Sequence, residues 1–205
     1  FYLAVPFIFL RLWWRSRKAK DYGRRWRERF AFLSVPKEWQ HGLWVHAVSV
    51  GEVLAAVPLV KAIHLSHPDL PIVMTTMTPT GSARVKANFS DSVFHCYVPY
   101  DLPSVVKRFL NQIKPRALML LETELWPNIL YLCKQRKVPV MMANARLSEK
   151  SYRGYSKFAN LTREMLSAIT FLGAHAKDDA QRFIKLGINP NKVVITGSIK
   201  FEIKV

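Results

Sequence analysis

Cysteine, acidic residues and long apolar runs are all scarce in this 205-residue chain. The two cysteines, Cys96 and Cys133, lie far apart and form no C-x-x-C pair. They build no disulfide framework and read as two small buried side chains or as residents of a reducing compartment. There is no H-E-x-x-H, no cluster of cysteine with histidine and no carboxylate series spaced as a metal loop, so neither metal nor cofactor is indicated. No G-x-G-x-x-G follows any strand candidate, which argues against a dinucleotide enzyme, and the P-loop pattern is missing too. An apolar run of the roughly 20 residues that cross a bilayer is also lacking. Residues 1–10 are apolar, Arg11 interrupts, and Leu12, Trp13 and Trp14 follow. The positive charges come after this run, whereas a signal peptide carries them before it. Two readings stay open: the remainder of a transmembrane helix whose upstream residues are absent, or an apolar segment lying in the membrane interface.

Basic residues, by contrast, are abundant. Lys and Arg number 31 against 14 Asp and Glu, a net charge of +17, while half of the residues are hydrophobic. That composition supports one folded domain with a sizeable core and implies anionic partners. Between residues 11 and 29 stand Arg11, Arg15, Arg17, Lys18, Lys20, Arg24, Arg25, Arg27 and Arg29, with Trp13, Trp14, Tyr22 and Trp26 interleaved. Basic residues after an apolar run mark a cytoplasmic membrane surface, and Trp favours the headgroup layer. Trp13, Trp14, Arg15, Arg17 and Trp26 are therefore read as membrane-contacting residues on an anionic bilayer. A solvated basic helix or an RNA-binding arm is the alternative; the adjoining apolar run favours the membrane over nucleic acid.

From Leu43 onward short apolar runs alternate with helical stretches. Strands are expected at 43–48, 71–76, 94–98, 117–121, 138–143, 170–173 and 193–196, mostly as continuous apolar runs that suit parallel strands covered on both faces. Helices are expected at 52–66, 80–88, 103–113, 127–136, 155–166 and 178–186, with Pro103 and Pro127 in first turns and Gly187 at a helix end. This regular alternation predicts an α/β fold, a doubly wound parallel sheet of Rossmann-like type.

In such sheets ligands bind beyond the carboxyl ends of the strands, and there the polar residues of this chain gather. After the first strand come Ser49, Val50, Gly51 and Glu52. Gly51 permits a tight turn, and Glu52 sits in the first turn of the next helix. By spacing alone Glu52 is a first-turn acid complementing the helix dipole; the dipole also favours its ionised form, which is what a general base requires. Thr78-Pro79-Thr80-Gly81, after the second strand, offers hydroxyls and amides to phosphate or sugar oxygens at a helix start. At the end of the fourth strand Glu122 and Glu124 point to the same side if the strand continues. One would then bond the following helix N-terminus, and the other would orient a catalytic group or stabilise positive charge. Arg146, after the fifth strand, suits a phosphate or carboxylate. His46 reads as a satisfied core histidine.

Taken together, the phrases Trp44 to Glu52, Thr78 to Gly81, Glu122 to Asn128 and Asn144 to Ser148 resemble the 3-deoxy-D-manno-octulosonic acid (Kdo) transferases of Gram-negative bacteria. The match runs over nearly the whole chain in the same order. The resemblance implies the amino-terminal, acceptor-binding domain of a two-domain GT-B glycosyltransferase. It further implies inverting, metal-independent transfer of Kdo from CMP-Kdo to the lipid A precursor at the cytoplasmic face of the inner membrane. It makes Glu52 the proton acceptor and Glu122 and Lys200 stabilisers of the transition state, with Ser49, Gly51, Thr78, Thr80, Gly81 and Arg146 toward the acceptor. On this reading residues 1–40 are an anchor remnant with a membrane-proximal segment, 41–197 the acceptor-binding domain, and 198–205 the start of a linker to an absent donor domain, so that the chain alone is expected to be inactive. The rival readings are another GT-B enzyme of a lipid-linked acceptor and a non-catalytic module for anionic membranes or nucleic acid.

Overall fold

The computed structural model describes residues 25–197. Seven strands, β1 Leu43–His46, β2 Ile72–Thr76, β3 Phe94–Tyr97, β4 Ala117–Leu121, β5 Val140–Ala145, β6 Ile169–Ala174 and β7 Val193–Ile195, form one sheet in the order β3-β2-β1-β4-β5-β6-β7. Every neighbouring pair is parallel. Both faces of the central strands are covered, so in β1 and β2 every residue is buried, including the polar His46, Thr75 and Thr76 at their ends. The order runs outward from β1 in both directions, so the chain changes direction across the sheet between β1 and β4.

Helices α1 Val50–Ser66 and α2 Pro79–Phe89 cover one face with Val53, Val60, Val85 and Phe89 against Val45, Met74 and Leu121. On the other face lie α3 Pro103–Ile113, α4 Pro127–Gln135, α6 Ala159–Ser167 and α7 Lys177–Lys185, whose Phe109, Leu130, Leu166 and Phe183 pack on Trp44, Leu118 and Leu172. Trp44, a fully buried side chain, is a large contributor; its indole N–H donates to Thr75 Oγ1 at 2.8 Å, so burial leaves no orphan donor. Pro103 and Pro127 open α3 and α4, where a missing N–H costs nothing. Gly187, at φ 106°, follows α7.

Three features depart from the sequence expectations. Residues 155–166 do not form one helix: α5 Glu149–Ser156 ends, Lys157 and Phe158 intervene, and α6 begins. Strand β5 starts later than expected and runs on to Ala145 with breaks in register against β6. Finally, the chain before β1 joins the body of the domain. Two 3-10 turns, Trp26–Phe30 and Lys37–Trp39, place Phe30, Ala31 and Val35 in the core, and Arg108 and Gln112 of α3 donate to the carbonyls of Phe30 and Ala31.

Candidate active site

The ends of β1 and β4 bring the expected acids together. Ser49 caps α1: its hydroxyl accepts the Glu52 N–H at 3.3 Å, while the Glu52 carboxylate accepts the N–H groups of Val48 at 2.7 Å and Ser49 at 3.2 Å. This reciprocal capping box holds the Glu52 carboxylate in one orientation with only 6% of the residue exposed. Burial pushes the Glu52 acid above its usual range; the donors at Val48 and Ser49 oppose that rise, and the negative charge of Glu122 adds to it. The helix start therefore does not act alone on Glu52, as the sequence had suggested.

Gly51 corrects another expectation. It is the second residue of α1, not a tight-turn glycine, and a Cβ there would meet only Ser49 Oγ at 3.8 Å. Gly51 itself is exposed, while Glu52 next to it is buried.

At the end of β4 the strand does not continue. Glu122 turns into the left-handed region, φ 58°, so the alternation assumed for Glu122 and Glu124 does not apply. Both are half-buried. Glu124 accepts the Trp126 indole N–H at 2.8 Å. Its acid is pushed up to about 7, first by burial, then by the charge of Glu52, with Trp126 opposing and Glu122 adding. Three carboxyl groups thus feel one another at the β1–β4 boundary. The role expected of one of them belongs elsewhere, because the start of α4 is capped by Asp101, whose carboxylate accepts the N–H groups of Asn128 at 3.0 Å and Ile129 at 2.8 Å. Half-buried Tyr155 of α5 borders the same cluster, its hydroxyl pushed up by burial first and then by the charge of Glu124.

Behind the cluster stands His46, fully buried, with Nδ1 2.9 Å from Thr75 Oγ1 and its ring edge-on to Trp126 at 6.3 Å. Burial pushes it down to about 4 against a hydrogen bond with Thr75, so it is neutral near pH 7. It is only half satisfied, since Nε2 has no partner.

The Thr78 segment starts α2. Thr78 Oγ1 accepts the Gly81 N–H at 3.0 Å and the Thr80 hydroxyl at 3.2 Å, so part of this hydroxyl density serves capping. Arg146 is exposed after β5, and its backbone exchanges hydrogen bonds with the Thr123 hydroxyl. Trp26 is 41% exposed and packs edge-on to Phe30. Lys200, Trp13, Trp14, Arg15 and Arg17 lie outside the described residues. Among the described residues no three His, Cys, Asp or Glu side chains group so as to hold a metal ion, and no helix is long and apolar enough to cross a membrane.

Two groups escaped the sequence reading. Arg25 and Arg29, counted there among the basic residues near the membrane, bond within the domain: Arg25 pairs with Glu28 at 2.6 Å and donates to the His95 carbonyl, and Arg29 donates to the Met77 carbonyl and lies 4.2 Å over the Tyr97 ring. His95, pushed down to about 3 by burial and then by Arg25, reaches Thr76 Oγ1 at 3.0 Å. Nothing local in the sequence signals the long-range contacts to His95, Met77 and Tyr97. Asp101, two residues before Pro103, carried no signal toward a helix that starts at residue 127.

The doubly wound parallel sheet has the Rossmann-like fold of an amino-terminal GT-B domain, and its carboxyls gather where the strand order reverses. Solved structures agree on the fold. A UDP-N-acetylglucosamine 2-epimerase superposes with a TM-score of 0.56 at 12% identity over 78% of this chain and 46% of that one. The Neisseria meningitidis UDP-GlcNAc 2-epimerase bound to UDP-GlcNAc gives 0.55 at 14% identity over 78% and 47%. The family model described as 3-deoxy-D-manno-octulosonic-acid transferase (kdotransferase) matches residues 24–203, and the chain belongs to that family. Among its relatives, the 3-deoxy-D-manno-octulosonic acid transferase of Haemophilus influenzae is 42% identical over 98% of this chain and 47% of its own length. The transferase of Bordetella pertussis is 34% identical over 97% and 47%, and a probable mitochondrial transferase of Arabidopsis thaliana is 31% identical over 98% and 46%. The chain spans about half the length of these relatives.

Proposed function

We propose that this chain is the acceptor-binding part of a glycosyltransferase that moves Kdo from CMP-Kdo to the lipid A precursor. The observation that carries this reading is the placement of Glu52 and Glu122 at the ends of β1 and β4, on either side of the boundary where doubly wound sheets bind ligands. The capping box presents an oriented carboxylate there.

The chemistry follows from those positions. Glu52 accepts the proton of an acceptor hydroxyl as its oxygen bonds to the anomeric carbon of Kdo, and the bond to the CMP phosphate breaks with its electron pair leaving on CMP. A single displacement of this kind inverts the anomeric centre. The transition state resembles an oxocarbenium ion, so a carboxylate such as Glu122 lowers its energy, and a cation such as Lys200 offsets charge on the phosphate or on the Kdo carboxylate. No step requires a metal. Ser49, Thr78, Thr80, Gly81 and Arg146 line the acceptor side. The net charge of +17 suits an acceptor that carries phosphates and a donor that carries a phosphate and a carboxylate. Residues 1–40 would include the membrane-contacting part, with Trp13, Trp14, Arg15, Arg17 and Trp26 at the cytoplasmic face of the inner membrane. Residues 41–197, with the turns before β1 that pack into their core, would form the acceptor-binding domain, and 198–205 would begin the linker to a donor domain.

The test is transfer by the full-length parent protein, supplied with CMP-Kdo and the lipid A precursor and followed by release of CMP. Acceptor-dependent release supports the reading. Release that is absent with CMP-Kdo but present with another nucleotide sugar would overturn it.

A further inference from the structure

Buried polar atoms without partners are rare in folded proteins, and each calls for an explanation. Asn144 has two: it is fully buried, and neither Oδ1 nor Nδ2 has a partner. Its backbone is left-handed as well, φ 55°, in a region where asparagine is among the least penalised residues. It lies where β5 slips register against β6, between Met142 and Ala145.

The surroundings of Asn144 connect it to the acidic turn. The carbonyl of Ala143, just before it, accepts the Glu122 N–H at 2.9 Å. Two residues after it, the Arg146 N–H donates to Thr123 Oγ1 at 3.2 Å, and the Thr123 hydroxyl donates to the Arg146 carbonyl. Asn144 is therefore enclosed between two stitches that tie the end of β5 to the turn carrying Glu122. Glu122 is itself left-handed, so two adjacent strand ends hold sparsely populated backbone conformations side by side. Such strain persists where the surrounding fold imposes it, and it gathers at ligand sites. On the other flank of β4, at the end of β1, His46 Nε2 is likewise buried without a partner, and its ring abuts the Trp126 that binds Glu124. The acidic turn thus sits between two buried side chains with unused hydrogen-bonding capacity.

Resting on the glycosyl-transfer reading, we propose that Asn144 is a positioning residue of that reaction, its carboxamide fixing the Glu122 turn when the site is loaded. A carboxamide both donates and accepts, so it can hold a carboxylate and a backbone carbonyl or N–H at once. Asn144 touches no substrate; it acts through Glu122. A backbone role and a side-chain role predict different behaviour on substitution by glycine, which tolerates the left-handed conformation but has no carboxamide.

The experiment compares the full-length parent protein with its Asn144→Gly and Asn144→Ala variants in Kdo transfer and in thermal melting. Asn144→Gly should melt at or above the parent temperature while kcat falls roughly 10- to 100-fold, the loss expected when a reacting group is misplaced, with the acceptor KM little changed. Asn144→Ala should lose the same activity and melt lower, because alanine is strained at this φ. Parent-like kcat in Asn144→Gly would overturn the inference and leave the transfer reading intact, making Asn144 a residue kept only for its backbone. Failure of Asn144→Gly to fold would also overturn it, since the side chain would then support the resting fold. A parent protein that transfers no Kdo would overturn the reaction reading and this inference with it.

Discussion

At the scale of single residues, the site brings carboxyl groups together in different hydrogen-bonding surroundings. Glu52 is held by two backbone donors, whereas Glu124 has one indole donor and is pushed up to about 7 by burial and by the charge of Glu52. Burial raises both acids, and each one's negative charge makes ionisation of its neighbour harder. The consequence for stability has a definite sign. A carboxyl whose folded value lies above its unfolded 4.5 is protonated in both states at low pH and has no effect there. As pH rises from about 4.5 toward 7 the unfolded chain releases the proton while the folded one retains it, so stability is lost through that window. Glu124→Gln removes the ionisation and keeps an acceptor for Trp126. Its melting temperature relative to the parent should therefore climb between pH 4.5 and about 7 and level off above; a gap that does not vary with pH would refute the assignment.

His46 shows where residue-level reading of the sequence ran out. Its position at the end of an apolar strand gave its burial, and the structure agrees. That one ring nitrogen would bond Thr75 and the other nothing depends on β2 lying beside β1 in register, His46 opposite Thr75. The left-handed backbones of Glu122 and Asn144 were hidden for a similar reason. Neither residue is glycine, and both conformations are imposed by the stitching between β4 and β5.

At the scale of elements, the helix starts do most of the positioning. The capping box of α1 serves stability and chemistry together, since the same carboxylate that closes the box is the proposed base. Ser49→Ala should lower the stability of the domain by about 1 kcal/mol, as N-cap losses do. In the full-length parent it should also reduce transfer, because Glu52 loses the hydroxyl that fixes the start of its helix. Melting and rate measured on the same variant check both effects, and a destabilised protein with an unchanged rate would separate the cap from the chemistry. The elements were legible from the sequence where apolar runs were long: all seven strands are present, β5 shifted by two residues, and α3 has the expected limits. Helix α5 was missed because it buries no residue fully and offers only Tyr152 and Tyr155 toward the core, too few to show a helical period. The 3-10 turns before β1 were missed because a basic, aromatic stretch gave no sign that Phe30, Ala31 and Val35 would enter the core.

At the scale of the whole molecule, the strand order decides where chemistry can occur. With β1 and β4 adjacent at the reversal, Glu52 arrives from one half of the sheet and Glu122 and Glu124 from the other, close enough for their charges to interact. Spacing in the sequence identified each acid; the topology is what brings Glu52 beside the other two. The same scale sets a limit on activity. If the donor is held mainly by a second domain, residues 1–205 alone should bind the lipid A precursor weakly and release no CMP from CMP-Kdo. Sustained turnover by this chain in isolation would refute that division of labour.

The role of Glu52 as base is tested most directly by transfer kinetics of Glu52→Gln in the full-length parent protein. Glutamine keeps the shape and can still accept from Val48, but it cannot take the acceptor proton. We expect a folded protein with parent-like acceptor binding and a rate lowered by roughly 10²- to 10⁴-fold, the range general-base catalysis supplies. A Glu52→Gln enzyme that transfers Kdo at the parent rate would contradict the assignment.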